Sequence, residues 1–329
     1  MTSDRPASPS VPVSDAAAAL VCQSLPVNSR ILVLGAGGWF GQTFLALLGP
    51  TDFPLVLIGS HARTIRVNNQ TYQVSIWDEA TVQEFNPTFV FDAAFLTRRF
   101  LDILGLARYT QQNAELMRRV RWLSALPTVE QLVTISSGAV LEAGRLREGA
   151  GSRDPYGAMK LELENQLRQS AAGDQTGVVI ARAFSVSGGF VREPREYALS
   201  DFVLQALERG EITISSASPV FRRYCAVEDL LAVSLTMLPE SGVAELDSGG
   251  DLVEMSGLVE VIQASFGARI PVHRLENAGG VGPSRYHSDN KSWARALEKT
   301  GYAPLNLRDQ VANVSRSLVA RGLVREEKE

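Results

Sequence analysis

Short apolar runs alternate with amphipathic stretches along most of the chain. Residues 31–34 (Ile-Leu-Val-Leu) form a continuous apolar run, the pattern of a strand buried on both faces. Similar runs recur at 54–59, 88–94, 132–137 and 178–184. Helical patterns lie between them. Residues 42–48 suit a helix, and in 109–126 Leu116, Val120 and Leu123 share one face. Another helix opens at Asp154-Pro155, where proline fits a first turn. Alternating strand and helix predict a doubly wound α/β parallel sheet. One stretch departs from the rule. Residues 64–67 and 71–76, split by Asn68-Asn69-Gln70, predict a β-hairpin and leave little room for a crossover helix.

Beyond Gly188 the pattern loosens. Residues 192–196 read as a charged loop, and 200–209 as a helix with Gly210 as its C-cap. A strand-like run at 220–226 leads into a helix over 227–237. Further helices are predicted at 256–266, with Ser256 as N-cap, at 290–300 and near 307–320. Residues 1–28 read as a flexible tail with a short Ala-rich helix before Leu25.

Composition narrows the function. The 329 residues are 45% hydrophobic, enough for a packed core, and the formal net charge is -4. That charge gives no general attraction to nucleic acid or anionic membrane, and there is no basic run interleaved with aromatics. No stretch is long and apolar enough to span a bilayer, and residues 16–21 are short for a signal-peptide core. Cys22 and Cys225 make no disulfide framework, and His61, His273 and His287 show no metal-ligand spacing. The expectation is a cytoplasmic, metal-free enzyme acting on a small molecule.

The chemistry begins where the first strand ends. Gly35, Gly38 and Gly41 follow residues 31–34 and precede a helix, the context in which a glycine motif binds a dinucleotide. Such glycines permit a tight turn, a close approach to pyrophosphate and close packing of helix on strand. The commoner GxGxxG spacing would need glycine where Phe40 stands. Trp39 and Phe40 lie inside the turn and join the expected cofactor contacts. The second strand ends in Gly59-Ser60-His61-Ala62-Arg63, with no acid for a ribose 2′-hydroxyl, so Ser60 and Arg63 favour NADP over NAD. Asp78 is placed near the adenine. Ala93 and Ala94, with Phe95, let a cofactor pass over the end of the next strand, and Phe184 ends the strand at 178–184. Ser137 ends the strand at 132–137, and Tyr156 and Lys160 lie one helical turn apart. A phenol titrates near 10, an adjacent ammonium lowers that value, and a serine hydroxyl can hold a substrate oxygen beside it.

Together these motifs resemble the extended short-chain dehydrogenase/reductases, in their NAD-dependent epimerase/dehydratase group acting on nucleotide sugars. The likeness runs from Arg30 to Leu318. It implies a Rossmann-type domain over 29–187 and a smaller substrate-binding α/β lobe over 188–329, with some segments returning to the first. It makes Tyr156 the acid/base, Lys160 its tuner and Ser137 the group that orients substrate. Asn113 joins the cofactor site. Gly138, Ser185, Arg222 and Arg285 join the substrate site, Arg222 on a diphosphate and Arg285 as a stand-in for a second phosphate arginine. Relatives pair two helices into a homodimer, implying pairing here through 109–126 and 155–170, with Leu163 and Leu167 as an apolar stripe. The acids that dehydrating relatives carry after the serine are Gly138 and Ala139 here, which argues against 4,6-dehydration. What remains is an NAD(P)-dependent epimerase or reductase of a nucleotide sugar. The alternatives are a reductase of a non-nucleotide carbonyl and a non-catalytic dinucleotide sensor. The intact Ser-Tyr-Lys set argues against the sensor.

Overall fold

In the computed structural model, which describes residues 10–146, 154–171, 175–275 and 282–324, the first apolar run is a strand with both faces buried. Ile31 and Val33 enter one hydrophobic cluster and Leu32 and Leu34 the other. Alternation puts successive side chains on opposite faces, so a strand apolar throughout needs cover on both sides. Helix α1 (Asp15–Ser24) precedes β1 (Ile31–Leu34); α2 (Trp39–Leu48) and β2 (Leu55–Ile58) follow. Next come the hairpin β3 (Arg63–Val67) and β4 (Gln70–Val74), then α3 (Glu79–Phe85), β5 (Phe89–Asp92), α4 (Arg99–Leu104) and α5 (Leu106–Ser124). The half closes with β6 (Gln131–Ser137), α6 (Ala139–Leu146), α7 (Pro155–Ala171) and β7 (Gly177–Ala183).

After β8 (Ser185–Ser187) come α8 (Ala198–Arg209), β9 (Ile212–Ile214), β10 (Val220–Ala226) and α9 (Val227–Leu235). The chain ends with β11 (Gly242–Asp247), β12 (Asp251–Glu254), α10 (Met255–Phe266), β13 (Val272–Arg274), β14 (Ser284–Tyr286), α11 (Lys291–Thr300) and α12 (Leu307–Ala320). The main sheet has six strands in the order β11-β7-β6-β5-β1-β2, every neighbouring pair parallel. This is the doubly wound sheet expected. Strand β11 comes from late in the chain and pairs with β7. A second sheet centres on β10, antiparallel to β12 and parallel to both β14 and β8.

Several expectations need correction. Residues 10–28 are not a loose tail: Val11, Ala17, Val21 and Leu25 are buried, and α1 packs on α2 and α9. Residues 1–9 lie outside the described residues. The hairpin forms, with Asn68 at φ 51° in its turn, and Ser75 bridges to Ile58 so that it extends the sheet edge. A short crossover helix, α3, is nevertheless fitted in. Ser256 does not cap α10; Glu254 does, accepting from the Ser256 N–H. Leu163 and Leu167 are 3% and 0% exposed and pack with Met117, Val120 and Leu123 against the sheet, so they offer no stripe to a second copy.

Candidate active site

One wall of the cleft is the β1–α2 turn. Gly35 has φ +76°, and a Cβ there would lie 2.8 Å from the Ala93 carbonyl. A Cβ on Gly41 would lie 2.4 Å from the Gly35 oxygen, so helix and turn touch backbone to backbone. No side chain caps α2 at Gly38. The first-turn N–H groups are therefore left without a side-chain acceptor, as an anion site requires. The cleft, about 310 Å³, is lined by Gly38, Trp39, Phe40, Ala93, Phe95 and Thr97 among others. Trp39 Nε1 is buried there without a partner. A bare-glycine cradle, a helix N-terminus and a spare donor fit a dinucleotide pyrophosphate. Arg63, on β3, reaches back to this turn and donates to the Gly37 carbonyl at 3.4 Å. Ser60 is exposed beyond β2.

Two expected cofactor residues also have partners within the fold. Asp78 accepts from the Thr81 hydroxyl at 2.5 Å and from its N–H at 2.9 Å, capping α3, and these bonds hold its carboxyl below the usual range. Asn113 is fully buried and bonds both backbone groups of Leu96, accepting from its N–H at 2.9 Å and donating to its carbonyl at 3.3 Å. It thereby shapes the loop that carries Phe95 and Thr97. Ala94 does not line the cleft; its N–H binds Asp92 at 3.0 Å.

The floor beneath Phe95 is the end of β6 and the start of α7, where Ser137, Tyr156 and Lys160 lie behind the residues that line the cleft. The Ser137 hydroxyl interacts with the Tyr156 phenol and opposes the effect of burial, which pushes the phenol well above its ordinary value. Phe95 meets the Tyr156 ring edge to face at 5.7 Å, and the Arg98 guanidinium lies 5.3 Å from its centre, held by Asp154 at 2.5 Å. Lys160 differs from the expectation. Its ammonium donates to the Ile135 carbonyl at 2.6 Å and sits 4.0 Å from the centre of the Phe95 ring. Burial lowers its pKa to about 8, against the pull of Asp92 and Glu164. The cation acting on Tyr156 in this arrangement is Arg98. Beneath them, Glu164 is 1% exposed and is bound by Arg182, Arg168 and the Ser136 hydroxyl. This buried ion network ties α7 to β7 and, through Glu245 and Asp247, to β11.

The other wall comes from the second sheet. A cavity of about 470 Å³ is lined by Ser185, Arg222, Tyr224 and Tyr286, with Phe184 and Tyr197. Phe184, expected at the cofactor, packs at a tilt against Tyr286, ring centres 5.4 Å apart. It also fills the space over Gly138, where a Cβ would lie 2.3 Å from its ring, so Gly138 accommodates a side chain rather than lining the cavity. Register sorts the two arginines. Arg222 pairs with Tyr286 and Phe221 with Arg285, so Arg222 faces the cavity while Arg285 stacks on Phe221 on the opposite face. Arg222 has no carboxylate within ion-pairing distance among the described residues; it donates to the Phe221 carbonyl and reaches Ser284.

Sequence reasoning missed Tyr286, whose hydroxyl lies 3.4 Å from Ser137 Oγ. Its strand is three residues long, too short for a periodic signal. It also passed over Arg98 and Tyr197, both in stretches without periodicity.

The comparisons follow this geometry. Solved structures share the fold at low identity. UDP-glucose 4-epimerase from Brucella ovis, in complex with NAD, is 20% identical, with TM-score 0.67 over 87% of this chain and 97% of its own. UDP-N-acetylglucosamine 4-epimerase from Methanobrevibacter ruminantium M1, in complex with UDP-N-acetylmuramic acid, is 19% identical, with TM-score 0.68 over 89% and 99%. RMD from Pseudomonas aeruginosa, complexed with NADPH, is 17% identical, with TM-score 0.64 over 90% and 100%. No curated protein matches the sequence. No helix among the described residues is long and apolar enough to cross a membrane. The family profile described as "NAD dependent epimerase/dehydratase family" matches residues 31–246, well over half the chain. By that match this chain belongs to the family, as a nicotinamide-dependent enzyme of the extended short-chain dehydrogenase type.

Proposed function

We propose that the enzyme moves a hydride between NADP(H) and a carbinol or keto carbon of a nucleotide-activated sugar, as an epimerase or reductase. One arrangement carries the reading: Ser137, beside Tyr156, lies 3.4 Å from Tyr286 of a cavity whose unpaired cation is Arg222, and that cavity shares Glu196 and Tyr197 with the dinucleotide cleft. The cofactor would be held by the β1–α2 turn and would supply or accept the hydride. Ser137 orients the substrate oxygen, and Tyr156 gives or takes its proton. That transfer needs a phenol easier to ionise than a buried one. Lys160, released from Ile135, is the charge within one helical turn that supplies it. Arg222 suits phosphate oxygens, being planar and rich in donors. Ser60 and Arg63 stand where an NAD enzyme needs an acid, which supports NADP.

A second reading, a reductase of a non-nucleotide carbonyl, draws on the placement of Arg285. With Arg285 on the far face, the cavity has one unpaired guanidinium for a diphosphate, since Arg195 is already bound by Glu208 at 2.5 Å. A homodimer through α5 and α7 would have to use their outward faces.

A panel of UDP-, dTDP- and GDP-sugars, with simple ketones, tests this. NADPH absorbance and product chromatography are read together. Conversion of a nucleotide sugar that Arg222→Ala weakens in KM supports the proposal. Turnover confined to ketones, indifferent to Arg222→Ala, refutes it in favour of the second reading.

A further inference from the structure

We propose that Arg192, from the loop after β8, completes with Arg63 a two-guanidinium site for the 2′-phosphate of NADP(H). The inference rests on the NADP reading above and names a residue which that reading lacks. Arg63 Nη2 and Arg192 Nη1 both lie 3.4 Å from one acceptor, the Gly37 carbonyl oxygen. They come from separate parts of the chain, one from the sheet-edge hairpin and one from the loop after β8. A single carbonyl does not neutralise two cations. Among the described residues, no carboxylate lies within ion-pairing distance of either. The acids next to Arg192, Glu193 and Glu196, are held by Arg99 at 2.5 and 3.4 Å. A third guanidinium, Arg321, stands close and is spent on the Gly189 and Val191 carbonyls at 2.8 and 2.6 Å. Burial lowers its pKa, and the Arg192 charge lowers it further. The group is an uncompensated positive field.

An anion with several exposed oxygens answers such a field, and a phosphomonoester dianion offers them to two planar guanidiniums at once. The site is also braced before any ligand arrives. The Val11 N–H donates to Asn68 Oδ1 at 2.8 Å, in the turn of the hairpin that carries Arg63. The Val11 side chain packs at Gly189, where a Cβ would lie 2.2 Å from its Cγ1, three residues before Arg192. One residue thus fixes both arginine-bearing segments. Gly37 has its own part: a Cβ there would lie 2.0 Å from Arg63 Nη2, so the guanidinium lies directly against the bare Cα of the turn.

Phosphate in a dinucleotide comes from the 2′ position or from the pyrophosphate, and calorimetry separates the two. Wild type, Arg63→Ala, Arg192→Ala and Arg192→Lys are titrated with NADPH, NADH and adenosine 2′,5′-bisphosphate. Arg192 is exposed, so its variants should fold. The expected result is a loss of about tenfold to a hundredfold for NADPH and the bisphosphate in Arg192→Ala, with NADH nearly unchanged and Arg192→Lys intermediate. Equal losses for NADPH and NADH would place Arg192 on the pyrophosphate and overturn the inference. An Arg192→Ala variant that keeps the wild-type NADPH preference would also overturn it, and would leave the NADP reading standing. No preference in the wild type would overturn both.

Discussion

The two walls of the cleft are built in different ways. The cofactor wall is one unbroken strand, turn and helix, residues 31–48, whose glycines touch backbone to backbone. The proposed substrate wall gathers β8, β10 and β14, strands from three distant parts of the chain. A contiguous motif fixes a site through backbone geometry, which tolerates few substitutions. A wall assembled from single side chains leaves backbone intact when those side chains change. The cofactor half should therefore be general to the family, and the substrate half particular to this enzyme.

The floor between the walls gives the largest expected effect. Tyr156→Phe removes the proposed proton-transfer group and keeps the ring that packs on Phe95. Its kcat should fall by roughly a hundredfold or more, with cofactor affinity within about twofold of wild type. Steady-state kinetics beside calorimetry check this, and near-normal turnover would remove Tyr156 from the chemistry.

Much of this arrangement was legible from sequence. Fully apolar runs announced the buried parallel strands, because only a sheet covered on both faces hides such runs. Gly35, Gly38 and Gly41 announced the turn, and the four-residue spacing put Tyr156 and Lys160 on one helical face. The direction of the Lys160 ammonium was not legible. It depends on the Ile135 carbonyl, Phe95 and Asp92, which only the folded sheet brings to it. Tyr286 and Arg192 were hidden for a related reason. One sits on a three-residue strand and the other in an exposed loop, and neither position carries periodicity. The mirror-image case is Leu163 and Leu167, a helical stripe that reads equally as an interface or as core; the sheet claims it.

Lys160 also gives a pH signature for the floor. Its folded pKa of about 8 lies below the ordinary lysine value. Between roughly pH 8 and 10.4 the unfolded chain binds the proton that the folded protein has lost, so stability rises with pH in that window. Relative to Lys160→Met, wild type should gain about 2 kcal/mol between pH 7.5 and 10, read from urea unfolding. A flat difference would mean that the ammonium is not buried as described.

A smaller effect belongs to the substrate wall. Tyr286→Phe keeps the ring contact with Phe184 and loses the hydroxyl near Ser137. Substrate KM should rise about fivefold with kcat nearly constant, since one hydrogen bond contributes about 1 kcal/mol. Cofactor affinity should not change. If it falls while KM holds, the division between the walls is misdrawn.

The central claim is hydride transfer between nicotinamide and sugar within this cleft. It is tested most directly with NADPH deuterated at C4 of the nicotinamide and a nucleotide sugar that the enzyme converts, followed by mass spectrometry and NMR. In a reductase, deuterium should appear at the product carbinol carbon. In an epimerase, a sugar deuterated at the reacting carbon should return its label inverted, with no loss to solvent. Solvent hydrogen at that carbon, with the label retained on the nicotinamide, would contradict the account.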